Sequence, residues 1–173
     1  MSQRFESVVA IAATPEQVFA HLDDQTRLAA HMERPSAMMG GGRMTYEFDA
    51  GRGQVVGSRI RMGGSAFGLS LAVDEVVAER DPPRRKVWRT AGATRLIILD
   101  AYDMGFDLEP TATGSRLCVW ITYTLPRAGA RRLLGLLMAP GYAHWCVGRM
   151  ARDAVDFFGN RQLGADAVEP HRA

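Results

Sequence analysis

The strongest constraint on the fold is a run of strand-like segments between residues 43 and 126, with no helical pattern among them. Each segment is rich in β-branched and aromatic residues, and glycine- or proline-containing turns separate it from the next. The segments are RMTYEFD, QVVGSRIRM, FGLSLAVDEVVAE, RKVWRT, RLIILDAYDMGFDLEP and SRLCVWITYTLP. Because the connections are too short for helical crossovers, we expect antiparallel pairing of consecutive strands rather than alternating strands and helices.

Helical patterns occur only before and after this run. A first strand, RFESVVAIAA, precedes TPEQVFAHL, in which Thr14 suits the N-cap and Pro15 the first helical position. DDQTRLAAHM predicts a second short helical piece. After residue 126 the apolar spacing changes to that of one long amphipathic helix, kinked at Pro140. We therefore predict an α+β fold: a curved antiparallel sheet of about seven strands around a long C-terminal helix, with two short helices after the first strand.

Length and composition fit one domain. The chain has 173 residues, of which 47% are hydrophobic, enough for a substantial core. We assign residues 1–162 to a single ligand-binding domain and residues 163–173 to a flexible C-terminal tail. The sequence predicts a monomer or a homodimer.

Several classes of protein are disfavoured. The formal net charge is +2 and the basic residues are scattered, which argues against nucleic-acid binding. The N-terminus lacks a secretory signal, and no apolar run reaches the roughly 20 residues of a spanning helix. Cys118 and Cys146 have apolar neighbours and are predicted to be reduced, buried thiols. We expect a cytoplasmic protein without stable membrane insertion.

Four segments punctuate the order of elements: ATPEQVFAHLDD, DEVVAERDPPRRKVWRT, GSRLCVWITYTLP and YAHWCVGRMARDAVDFF. Over roughly residues 3–160 this order resembles the START-like helix-grip superfamily, also called SRPBCC, and within it the polyketide cyclase/dehydrase-like group. The resemblance implies a deep cavity between sheet and C-terminal helix that holds a hydrophobic or amphipathic small molecule. Members range from lipid and quinone binders to aromatase/cyclases, so the fold alone does not decide the function.

Side-chain alternation predicts which residues face this cavity. In each strand we assign the bulkier, more apolar face inward, and in the C-terminal helix the apolar stripe. The methionines before the second strand, beside three glycines, are candidates for a lid over the ligand or for a plain connector. The candidate ligand-binding residues are Met38, Met39, Met44, Tyr46, Phe48, Ile98, Asp100, Tyr102, Met104, Val119, Ile121, Tyr123, Cys146 and Met150.

Asp100 is the candidate catalytic residue. A carboxylate in an apolar cavity has a raised pKa and is suited to acid–base chemistry or to anchoring a ligand. The alternative is that Asp100 lies in water at the rim or pairs with an arginine of a neighbouring strand. Tyr102 and Tyr123 either orient a ligand through their hydroxyls or simply pack in the core. No metal-ligand, nucleophile or phosphate-loop motif is present, so we predict no metal and no cofactor.

Three functions remain open. The leading hypothesis is binding of a hydrophobic or amphipathic small molecule, such as a lipid, quinone or polyketide-like aromatic. The second is a cofactor-independent cyclase/dehydratase-type enzyme that uses Asp100 with Tyr102 or Tyr123. The third is a module that docks on a partner or membrane through ARRLLGLLMAPGY, whose leucines are otherwise expected to pack the helix on the sheet.

Overall fold

The computed structural model describes residues 2–28, 44–66, 68–92 and 95–166. Its elements are β1 Ser2–Ile11, α1 Pro15–Leu22, α2 Gln25–Leu28, β2 Met44–Phe48, β3 Arg59–Ala66, β4 Leu69–Asp81, β5 Arg85–Thr90, β6 Ala101–Thr111, β7 Gly114–Thr124 and α3 Ala130–Asp166. The strands form one seven-stranded antiparallel sheet in the order β1-β7-β6-β5-β4-β3-β2. The predicted α+β fold, with its long C-terminal helix and two short helices, is confirmed.

Strands β2 to β7 follow one another across the sheet, whereas β1 pairs with the last strand, β7. Strands β1 and β2 are therefore the two edges. Between them the chain has to cross from one edge of the sheet to the other, and α1 and α2 lie in this crossing.

Helix α1 begins where the sequence predicts. The Gln17 backbone N–H donates to the Thr14 hydroxyl at 3.4 Å, and the Thr14 backbone N–H donates to the Gln17 side-chain carbonyl at 3.1 Å. This reciprocal capping box satisfies donors that a helix N-terminus otherwise leaves without partners. The buried face of α1 includes Phe19, whose ring packs edge-on against Phe106 of β6 at a centroid distance of 5.5 Å. The capping residues thus place an aromatic side chain on the sheet.

Helix α3 packs against β1 and β7, and the face of the sheet that it covers is called the inner face below. Its predicted apolar stripe, including Cys146, Val147 and Met150, is buried there. The helix continues through Pro140 and ends at Asp166, and residues 167–173 lie outside the described part of the chain. The predicted domain end at residue 162 and the flexible tail stay predictions. No helix among the described residues is long and apolar enough to cross a membrane.

Two predicted strands begin later than expected. Strand β3 begins at Arg59 instead of residue 54, because residues 55–58 form a turn in which Gly57 has a φ of +87°. Strand β6 begins at Ala101 instead of residue 95. Strand β5 ends at Thr90 and therefore does not extend alongside the segment before β6, in which Arg95 forms an isolated bridge with Ala72 of β4.

A buried ionic cluster attaches the end of α1 to the sheet. Asp23 is the C-cap of α1 and is 5% exposed. The Nζ of Lys86, a fully buried residue of β5, lies 2.9 Å from Asp23 Oδ1 and donates to the Asp23 backbone carbonyl at 2.8 Å. Arg80 of β4 contacts Asp23 Oδ2 through an Nη at 2.9 Å. Burial lowers the pKa of Lys86, and the bonds to Asp23 oppose that shift. One carboxylate therefore binds two neighbouring strands to the crossing segment.

We expect the two sides of this cluster to respond unequally to mutation. Asp23→Ala leaves the buried Lys86 ammonium without its carboxylate and should lower the free energy of unfolding by about 3–5 kcal/mol. Lys86→Met should have a clearly smaller effect, because Asp23 keeps Arg80 and methionine fills a similar volume. Urea unfolding of both variants measures the difference, and equal losses would contradict this account.

Candidate functional site

A row of side chains crosses the inner face from one edge of the sheet to the other. Cross-strand pairing places Phe48 beside Ile60, Ile60 beside Glu75, Glu75 beside Thr90, Tyr102 beside Tyr123 and Tyr123 beside Gln3. Thr90 of β5 and Tyr102 of β6 are linked in this row by the Tyr102 backbone N–H, which donates to the Thr90 hydroxyl at 3.2 Å. Most of this row is polar, whereas the next inner-face residues along each strand are mainly apolar. We call Glu75, Thr90, Tyr102, Tyr123 and Gln3 the polar band.

Glu75 is the acidic group of the polar band and lies at its β4 end. It is 3% exposed and accepts a hydrogen bond from the Tyr102 hydroxyl through Oε1. Burial raises the pKa of its carboxyl to about 7, although the Tyr102 hydrogen bond and the positive charge of Lys86 act in the opposite direction. Near neutral pH this group is therefore present in both protonation states, so it can either donate or accept a proton.

Helix α3 contributes two further groups to this site. Burial raises the pKa of the Cys146 thiol to about 12, and the charge of Glu75 adds to the shift. Burial likewise raises the pKa of the Tyr142 hydroxyl, with contributions from Cys146 and Glu75. The pKa of Tyr102 is raised by burial and by Glu75 as well. One carboxyl that titrates near neutral pH thus interacts with three groups that keep their protons, through a hydrogen bond from Tyr102 and through its charge at Tyr142 and Cys146.

The predicted orientation holds for most candidate residues. Met44, Tyr46 and Phe48 of β2 pack on the inner face with Ile60 and Met62 of β3. The others lie in or against the core between the sheet and α3: Ile98, Tyr102, Met104, Val119, Ile121, Tyr123, Cys146 and Met150. Their contact with a ligand stays a prediction. Met38 and Met39 lie outside the described residues.

The predicted orientation of Asp100 is wrong. Asp100 is exposed, Leu99 beside it is buried, and the Asp100 backbone N–H donates to the Thr124 carbonyl at 2.9 Å. Because β6 begins only at Ala101, the alternation counted back from Tyr102 does not extend to residue 100. This exposure matches the alternative to a cavity position, in which Asp100 lies in water at the rim or pairs with an arginine, and the inner-face carboxyl is Glu75 instead.

The sequence does contain a signal for Glu75. Leu71, Val73, Glu75 and Val77 share one face of β4 by alternation, and the last three are buried. The adjacent Asp74 points to the other face, where it lies 3.8 Å from Arg61. Two consecutive acidic residues resemble an exposed charged pair, and this hides the inward position of the second.

The expectation for the cysteines is partly wrong. Both are free thiols, and Cys146 is buried as predicted. Cys118 is half-buried, because it lies on the outer face of β7.

The family described as "Polyketide cyclase / dehydrase and lipid transport" matches residues 2–156. The chain belongs to this family. The resemblance inferred from the order of elements is thereby confirmed. No match is found among curated proteins.

Solved structures with the same fold have low sequence identity to the chain. The di-domain ARO/CYC StfQ from the steffimycin biosynthetic pathway has 15% identity and a TM-score of 0.63, covering 93% of this chain and 52% of that protein. A norcoclaurine synthase point mutant from Thalictrum flavum, in complex with a transition-state analogue, has 14% identity and a TM-score of 0.62, covering 94% and 97%. TTHA0849 from Thermus thermophilus has 17% identity and a TM-score of 0.63, covering 90% and 95%. These likenesses show the helix-grip fold.

The raised pKa of Glu75 makes the stability of the protein depend on pH. A carboxyl whose pKa rises on folding from 4.5 to about 7 takes up protons on folding, so the free energy of unfolding falls as pH rises across that range. At about 1.36 kcal/mol per pKa unit, the loss is about 3 kcal/mol above pH 7. We expect Glu75→Gln to gain stability relative to the wild type as pH rises from 4.5 to 7, measured by urea unfolding.

Asp74→Asn is the matched control, because Asp74 is the neighbouring carboxylate on the opposite face of β4. The same pH-dependent gain in Asp74→Asn would contradict burial as the cause. A difference in the free energy of unfolding between Glu75→Gln and the wild type that stays the same at every pH would also contradict burial as the cause.

Proposed function

We propose that the protein binds a hydrophobic or amphipathic small molecule, such as a lipid, quinone or polyketide-like aromatic, between the inner face of the sheet and α3. The observation that carries this proposal is Glu75, a buried carboxyl on a mainly apolar face. A valine at this position would avoid the cost of burying a carboxyl. A perturbed carboxyl among apolar side chains is typical of a site that orients a ligand.

The surroundings of Glu75 suit a ligand with one polar group and an apolar body. The polar group would bond to Glu75 and Tyr102, since the protonated carboxyl donates to a carbonyl and the carboxylate accepts from a hydroxyl. The apolar body would lie along β2 and β3, where Met44 and Met62 offer adaptable side chains beside the Tyr46 ring. This division places the polar group of the ligand at the Glu75 end of the polar band and its apolar body beyond that end, toward β2.

A second candidate function is catalysis without a cofactor, of the cyclase/dehydratase type. The observation that favours it is the pKa of Glu75 near 7, which is suited to general acid–base catalysis at neutral pH. In that role the Glu75 carboxylate removes a proton from the bound substrate, and the resulting acid returns it later in the same turnover. Tyr102 keeps its own proton and positions the carboxyl through the hydrogen bond to Oε1. The ARO/CYC and norcoclaurine synthase structures support the compatibility of this fold with catalysis.

Native mass spectrometry of the purified protein, followed by extraction under denaturing conditions, tests the binding proposal. We expect a discrete added mass that is lost on denaturation, or a stabilising hit in a thermal-shift screen of lipids, quinones and aromatic polyketides. Ligand at 100 times its dissociation constant stabilises a protein by about 2.7 kcal/mol. Glu75→Gln should weaken binding of that compound by about tenfold or more, and Asp74→Asn should leave it unchanged. An apo protein with no hit, or equal affinity in both variants, would contradict the proposal.

Turnover of the identified compound separates the two candidate functions. If the protein is an enzyme, Glu75→Gln should lower the rate by about 10²- to 10⁴-fold at saturating substrate. Tyr102→Phe should move the acidic limb of the pH–rate profile to higher pH, because Glu75 reacts as a carboxylate and the Tyr102 hydrogen bond lowers its pKa. Recovery of the compound unchanged after incubation with the wild type would reject catalysis and leave binding intact.

A further inference from the structure

The first turns of α3 place small residues on the sheet and large apolar residues in solvent. Gly135 and Ala139 are buried. Leu133 and Leu137 are 63% and 74% exposed, and Leu134 and Leu136 are exposed as well. At about 100° per residue these leucines cover an arc of roughly 160° that points away from the sheet. The expectation that this run packs the helix on the sheet is therefore wrong.

A close contact fixes this orientation of the helix. A Cβ on Gly135 would lie 2.6 Å from the backbone carbonyl oxygen of Ile98, so only glycine permits the approach. Arg131 donates to the backbone carbonyl of Leu96 in the same segment. Rotating α3 to bury the leucines would break both contacts. The exposed leucines are thus built into the packing of the helix.

Along the sequence, the formally charged residues nearest the leucines are all positive. Residues 110–152 contain no aspartate or glutamate. Arg127, Arg131 and Arg132 are exposed, and none of them forms an ion pair with a carboxylate of the described residues. By helical geometry Arg131 and Arg132 flank the leucine arc on its two sides. An apolar arc bordered by arginines is typical of helices that lie in a lipid interface.

We propose that this leucine surface, formed by Leu133, Leu134, Leu136 and Leu137 with Arg127, Arg131 and Arg132, docks on an anionic lipid surface. The leucines would enter the boundary between headgroups and acyl chains, and the arginines would contact lipid phosphates. A second copy of the chain fits less well. In a two-fold interface the same patch meets itself, which would bring arginines together without an acidic partner.

The leucine surface adjoins the candidate site. Leu96, whose carbonyl accepts from Arg131, packs against both apolar clusters of the protein, as does Tyr102. Docking would therefore place one end of the inner face next to the lipid. The inference does not depend on the proposed ligand, because it rests on the exposed face of α3 alone.

Co-sedimentation with vesicles tests the docking surface on the full chain. We expect the wild type to sediment with vesicles of phosphatidylcholine and phosphatidylglycerol, less so at high salt, and not with pure phosphatidylcholine. Leu133→Ser with Leu137→Ser should lower the partition coefficient about tenfold or more. Arg127→Gln with Arg132→Gln should lower it by roughly fivefold per charge. Thermal unfolding verifies that each variant is folded.

Val55→Ser with Val56→Ser is the matched control, since these residues of the β2–β3 connection are 53% and 62% exposed. The control should bind vesicles as the wild type does, and so should Glu75→Gln, which separates docking from ligand binding. Failure of the wild type to bind anionic vesicles would overturn the proposal, as would equal losses in the leucine and valine variants. A dimer in sedimentation velocity that only the leucine variant dissociates, without vesicle binding, would assign the surface to a second copy.

Discussion

The carboxylate of Asp23 is the constraint on which the arrangement of the inner face depends. Asp23 is the C-cap of α1, and its carboxylate compensates the buried charge of Lys86 and contacts Arg80. The carboxylate therefore holds the crossing segment to two adjacent strands. The position of α1 in turn brings Phe19 onto Phe106 in the core. The same lysine also lowers the pKa of Glu75. A structural attachment and the candidate site therefore share one buried positive charge.

The polar band lies where the two apolar clusters of the protein meet. One cluster fills the space between α3 and the strands β1, β7 and β6, and the other lies on β2 to β4. Tyr102 contacts both and donates to Glu75. The Tyr102 and Tyr142 hydroxyls and the Cys146 thiol stay neutral at physiological pH, so changes in the charge of the site near neutral pH come from Glu75. This is why a single substitution at Glu75 reports on both binding and catalysis.

Local sequence patterns predict the elements well, because capping residues and alternation act within one helix or strand. The capping box at Thr14 and the inward face of β7 follow from such patterns. Alternation misplaces Asp100, because side chains alternate only within a strand and β6 begins at Ala101, one residue after Asp100. The contact of Tyr102 with Glu75 depends on pairing across three strands, which no local pattern contains. Likewise, helical periodicity reveals the leucine arc, but the approach of Gly135 to Ile98 decides which way it faces.

The pairing of β1 with β7 also has a consequence for the order of folding. Strands β2 to β7 pair with their neighbours in sequence, whereas Ser2 lies opposite Thr124. Closing such a long loop is entropically unfavourable until other contacts repay it, and pairing between distant segments slows folding. We expect the meander to form first and β1 to join it together with α3, which packs on both β1 and β7. The N-terminal strand would then complete the sheet late, during synthesis only after the whole meander has left the ribosome.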